Sequence, residues 1–199
     1  MTVEISTFES ITKKVRACDY CVDTLPHRAR PIIQVSSEAK ILIAGQAPGS
    51  KVHASGIPFD DPSGDRLRAW MGIDKQTFYD ETQVAILPMG FCYPGTGKSG
   101  DLPPRKECAG LWREQLLAMM PKIELTLVIG QYAIAWHLPE CKRESLTNTV
   151  KARQTHWPIV LPLPHPSPRN NIWLKKNAWF ESEIIPALQG RVAELLALD

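Results

Sequence analysis

No run of apolar residues in this 199-residue chain is long enough to cross a membrane. The opening Met-Thr-Val-Glu-Ile-Ser has neither the basic start nor the apolar stretch of a secretion signal. A membrane-spanning helix is excluded, and a cytoplasmic protein is expected. Blocks of like charge are missing too. Charged residues make up 22% of the chain, hydrophobic ones 44%, and the net charge is only +2. Such a composition excludes a disordered tail and permits, without announcing, a polyanionic partner. Short basic clusters such as Lys13-Lys14-Val15-Arg16 and Lys175-Lys176 read as solvated surface when taken singly. Internal repeats and linkers are absent. The expectation is one domain over residues 1–199, a monomer whose core needs no disulfide.

Cysteine is scarce but patterned. In a reducing compartment its spacing is read for metal or redox chemistry. Cys18 and Cys21 form a CxxC, Cys92 and Cys108 have fifteen residues between them, and Cys141 stands alone.

The apolar pattern alternates short buried runs with helical stretches. Residues 39–44, 84–87, 125–130 and 159–161 read as strands, the last stopped by Pro162. Helices are expected over the first twenty residues, from a cap at Ser63 to Gly72, over 105–120, around 132–136 and over 178–197. Strands alternating with helices define an α/β class: three layers, α/β/α, with a four-stranded parallel central sheet. Three unusual loops follow the strands: "GQAPGSKVHASGIPFDDPSGD", "PMGFCYPGTGKSGDLPP" and "HPSPRNN". Ligands of open α/β sheets bind beyond the carboxyl ends of the strands, so these loops are expected to face one another.

The stretch Gly95-Thr96-Gly97-Lys98-Ser99 imitates the end of a phosphate-binding P-loop. That motif requires glycine where Cys92 stands, and a helix starting at the Lys-Ser pair. Gly100, Pro103 and Pro104 forbid the helix. A P-loop-like nucleotide hydrolase survives only as a runner-up.

"GQAPG", "GIPF" and "HPSPRN" together resemble the uracil-DNA glycosylase superfamily, over a span from Cys18 to about Asn170. "VRACDYC" and "GFCYPG…KEC" resemble the cysteine segments of its iron–sulfur class. The resemblance implies a parallel sheet between helices, DNA as partner, and removal of a deaminated base. It also implies one 4Fe–4S cluster on Cys18, Cys21, Cys92 and Cys108, a ligand set that would serve a structural zinc as well.

The roles it implies can be set against the chemistry. Glycosidic cleavage charges the sugar positively and the departing base negatively, and needs an extruded nucleotide and a positioned water. His165 would donate to the base carbonyl; the plainer alternative is a histidine capping its own loop. Phe59 would stack on the flipped base, or else pack in the core. Gly45, Gln46, Ala47, Pro48 and Gly49 bring backbone amides close to the base. Ser167 would grip phosphate, while Arg169 and Asn170 stand where relatives place a wedge. Relatives with an acidic residue at Ala47 use it on water. Here that duty passes to Asp61, with Asp60 its competitor, although an aspartate in "DDPSGD" also suits a turn or helix cap. Uracil-specific relatives read the base with an asparagine where Pro88 stands, which leaves backbone groups, His53 or Asp60 as candidate readers, with Met89 beside them in the pocket, and the identity of the base open. A non-catalytic binder of damaged or single-stranded DNA is the second class of function.

Overall fold

A computed structural model describes residues 7–98 and 100–197. Its strands are β1 (Ile41–Ala44), β2 (Val84–Ile86), β3 (Thr96–Gly97), β4 (Gly100–Asp101), β5 (Leu125–Ile129) and β6 (Val160–Leu163). Its helices are α1 (Phe8–Arg16), α2 (Ser50–Ser55), α3 (Pro62–Met71), α4 (Lys75–Tyr79), α5 (Glu114–Ala118), α6 (Gln131–His137), α7 (Leu146–Lys151), α8 (Asn171–Lys176) and α9 (Ile185–Leu196).

β1, β2, β5 and β6 form one parallel sheet in the order β2-β1-β5-β6. Side chains alternate across it, as the strand period requires. Ile41, Ile43, Val84, Ile86, Leu125 and Leu127 face a core completed by Leu67 and Trp70 of α3 and by Leu188 and Val192 of α9. Leu42, Ala85 and Leu87 face the other way, onto Ile11 and Val15 of α1 and Leu116 of α5. Ala44 and Val128 meet Ala133 and Ile134 of α6. With both faces covered, β1 and β5 can be apolar throughout, which explains their unbroken hydrophobic runs. Each such side chain removed from water contributes roughly 1.5–3 kcal/mol to the layering.

Several boundaries differ from the sequence expectation. Strand β6 continues through Pro162 to Leu163. It is an edge strand paired only to β5, so the missing N–H interrupts no second ladder. The cap of α3 is Asp61 rather than Ser63: its Oδ1 accepts from Gly64 N at 2.9 Å, with Pro62 in the first turn and Gly72 closing the helix at φ 69°. Residues 109–113 form a π-helical turn before α5, and a second such turn, 180–184, precedes α9, with Pro186 in its first turn. Helices α2, α4, α7 and α8 are too short to show a period in the sequence. At the outer edge of β2, Gln34 makes reciprocal backbone bonds with Ile86 while its side chain donates to Val84 O and Phe78 O. The described part of the P-loop look-alike, Gly95–Lys98, enters the hairpin β3–β4 and leads to no helix (Ser99 lies outside the described residues). That geometry cradles no phosphate.

Candidate active site

The carboxyl ends of β1, β2 and β6 open on one cleft of about 570 Å³, within the range of small-molecule sites. The loop after β1 supplies Gly45 through Gly49, and the loop after β6 supplies His165, Ser167, Pro168, Arg169 and Asn170. Phe59, Asp61 and Ser63 come from the entry to α3, and Gly100 and Asp101 from the hairpin.

His165 is positioned by its own loop. Ser167 N donates to His165 Nδ1 at 3.2 Å, and Asn170 Nδ2 donates to His165 O at 2.7 Å. Arg66 of α3 holds Ser167 O at 3.2 Å, tying this loop to the helix across the site. The prolines on either side remove alternative conformations. Since Nδ1 accepts from a backbone N–H, the imidazole proton resides on Nε2. Burial pushes the His165 pKa below its ordinary value; Asp61 and Asp101 pull it back, and Arg169 adds to the lowering. At neutral pH this side chain is therefore a neutral Nε2–H donor. The loop is stiff because it fixes one tautomer and one ring orientation.

Phe59 reaches the cleft through an unusual backbone. Its φ is +54°, a left-handed conformation that costs a bulky residue of order 1–3 kcal/mol. Phe78 meets its ring edge-on at 6.3 Å, and Tyr79 donates to Pro58 O at 3.0 Å. Glycine at 64 permits the bend. A Cβ there would stand 1.8 Å from Phe59 O. The ring lies beside the first loop, with Phe59 Cζ 3.7 Å from where a Cβ at Gly45 would be.

Three expected site residues are placed otherwise. Met89 packs into the apolar cluster of Ala44 and Val128; its neighbour Pro88 lines the cleft instead, because successive side chains of extended chain point to opposite sides. His53 stands on the far side of α2, with His27 and Tyr93 at ring distances of 5.5 and 5.8 Å, while Lys51 and Val52 line the cleft. Asp60 is not in the lining and lies 4.0 Å from Lys75. Gln46 does line it, but its amide donates to Leu102 O at 3.0 Å and so fastens the hairpin to the first loop. Sequence reasoning missed Lys51, Ser63 and Asp101. The hairpin carrying Asp101 resembled a phosphate loop, which hid it.

Cys18, Cys21, Cys92 and Cys108 line a second, small cavity with Ala29, Pro31, Phe91 and Arg105. Trp112 Nε1 lies 3.3 Å from Cys18 Sγ, and Phe91 N 3.5 Å from Cys108 Sγ. Burial pushes the Cys92 and Cys108 thiols up to about 11. Cys141 is elsewhere, beside the His156–Glu140 pair, whose Nε2 and Oε1 are 3.2 Å apart. Arg113, in the π-helical turn before α5, is wholly buried. Its Nε contacts Pro88 O at 3.4 Å, its terminal nitrogen meets His137 Nε2 at 2.8 Å, and its guanidinium lies over Trp136. Burial and the Arg113 charge lower the His137 pKa to about 3, so that imidazole is neutral.

A parallel sheet opening on a cleft walled by these loops defines an α/β protein with a ligand site at the strand ends. The family model of the uracil DNA glycosylase superfamily matches residues 33–189, and the chain belongs to that superfamily. Among solved structures it is similar to the solution NMR structure of a "putative Uracil DNA glycosylase" from Methanosarcina acetivorans. The identity is 18%, over 80% of this chain and 94% of that one, with a TM-score of 0.47.

Proposed function

We propose that this protein is a DNA glycosylase that hydrolyses the N-glycosidic bond of uracil or another deaminated base. The observation that carries the reading is the neutral Nε2–H donor of His165, held by Ser167 N on the wall of the cleft that Phe59 also lines. A base stacked on Phe59 would present its carbonyl to that donor as negative charge develops, an interaction worth ~3 kcal/mol when preorganised. The backbone of residues 45–49, on the same cleft, would lie close to the base edge. Lys51 and Arg169 supply positive charge at the cleft for the flanking phosphates. Pro88 brings neither an N–H nor a polar side chain, so discrimination among bases falls on the first loop.

The four cysteines are read as ligands of a 4Fe–4S cluster. Four thiols around one cavity with N–H groups directed at sulfur fit the donor chemistry of such a group. The same four thiolates would serve a tetrahedral zinc, the alternative occupant. When bound, the cluster would cross-link the CxxC segment to the loops carrying Cys92 and Cys108. DNA as partner, a monomeric state and a cytoplasmic site belong to the same reading; no described helix is long and apolar enough to cross a membrane.

The test is incubation with oligonucleotides carrying uracil, hypoxanthine or xanthine, single-stranded and paired, followed by counting of abasic sites. At least one base should be released. Tight lesion binding without abasic sites would identify a binder and overturn the enzyme. Anaerobically purified protein should be brown with about four irons per chain; colourless protein with one tightly held zinc would overturn the cluster.

A further inference from the structure

Three aspartates stand near the cleft, and two of them line it. Asp61 caps α3, its Oδ1 bound to Gly64 N at 2.9 Å. Asp60 is outside the lining, near Lys75. The third, Asp101, lies on β4 of the hairpin and lines the cleft together with His165 and Ala47.

The hairpin holds Asp101 over the first loop by several independent contacts. Leu102 N donates to Gly95 O at 2.8 Å and closes the hairpin. Gln46 Nε2 of the first loop then donates to Leu102 O at 3.0 Å. Gly100, at φ +135°, adopts a backbone few other residues take, and Arg169 packs against it, 3.0 Å from where a Cβ would be. The Asp101 carboxylate lies beside Gly49 of the first loop, its Oδ2 3.5 Å from where a Cβ would be. The charges of Asp61 and Asp101 both act on the His165 imidazole, that of Asp61 the more strongly.

We infer that Asp101 is a catalytic carboxylate of this cleft, the group that accepts the proton of the attacking water. The inference rests on the glycosylase reading and gives that site its base. In the step, the bond from the sugar C1′ to the base nitrogen breaks and its electron pair leaves with the base, steadied by His165. The water oxygen bonds to C1′, and the water proton passes to the Asp101 carboxylate. The products are a free base, once protonated, and an abasic sugar. A carboxylate so placed also opposes the positive charge that builds on the sugar. The absence of an acid at Ala47 then has an explanation: the carboxylate comes from the hairpin and stands beside the same loop.

The experiment compares single-turnover excision by the wild type, Asp101→Asn, Asp101→Ala and Asp61→Asn on whichever base the wild type removes, with melting temperature and DNA affinity measured for each. Asp101→Asn should fold and bind DNA as the wild type does, yet cleave 10²–10³-fold more slowly, the usual loss with a general base. Formate, a small carboxylate, should restore part of the rate to Asp101→Ala, while chloride at equal ionic strength should not. Asp61→Asn should lose more melting temperature and less rate. Wild-type cleavage with Asp101→Asn within threefold of it overturns the inference, as does a folded Asp101→Ala whose lost rate formate leaves unchanged. A wild type that leaves no abasic site on any base instead overturns the glycosylase reading itself.

Discussion

Gly64→Ala isolates the local device on which the base-stacking role proposed for Phe59 depends. Alanine is ordinarily the better residue inside a helix, by about 1 kcal/mol. Here its methyl carbon would sit 1.8 Å from Phe59 O, 2.8 Å from the carbonyl carbon and 2.9 Å from Phe59 Cβ. Two of those atoms are backbone, so no rotamer change relieves the clash. The peptide after Phe59 has to move, and overpacking of this kind costs ~1–3 kcal/mol or more. Taking the top of that range and subtracting the helical gain leaves a loss of about 2 kcal/mol, or roughly 4–8 °C in melting temperature for a chain of this size. The displaced ring also forfeits stacking worth ~1–3 kcal/mol, so excision should fall roughly tenfold to a hundredfold. Gly190→Ala, in α9 with nothing within 4 Å of the new carbon, is the control and should be neutral or stabilising by up to ~1 kcal/mol. Thermal unfolding and single-turnover excision on all three proteins decide the matter. A Gly64→Ala protein that melts and cleaves like the wild type would refute the placement of Phe59.

Asp61→Ala should lose about 1 kcal/mol through the α3 cap, visible as a lower urea midpoint with an unchanged slope. His137 bears on acid stability. Its folded pKa of about 3 lies below its unfolded value, so its contribution is complete above ~6.5 and is lost as pH falls toward 3, by up to ~1.4 kcal/mol per pH unit. Urea titrations at several pH values should show that slope in the wild type and its loss in His137→Gln; an unchanged slope would contradict the buried neutral imidazole.

The sheet was legible in the sequence because its strands are buried on both faces and stand out as apolar runs. Register and order were not, since no local signal says that β1 pairs with both β2 and β5. Pro162 misled because proline excludes a central strand, not an edge one. Loops rich in Gly and Pro announced the site. Within them the direction of individual side chains was hidden: Met89 and Pro88 exchange places through the alternation of extended chain, and His53 and Lys51 through the turn of a short helix. Gly64 and the positive φ of Phe59 explain "GIPFDDPSGD" as one folded unit. Only coordinates show that glycine and aromatic touch. Asp101 was hidden most completely, because its placement depends on the hairpin contacting a loop about fifty residues earlier.

Single-turnover release of base from DNA, with His165→Ala beside the wild type, tests the central claim most directly. Base release by the wild type should leave abasic sites, and His165→Ala should slow it ~10²–10³-fold, the cost of one preorganised donor. DNA retention should hardly change, because phosphate contacts dominate it. Equal rates for the two proteins, or lesion DNA bound tightly by a wild type that leaves no abasic site, would contradict the account.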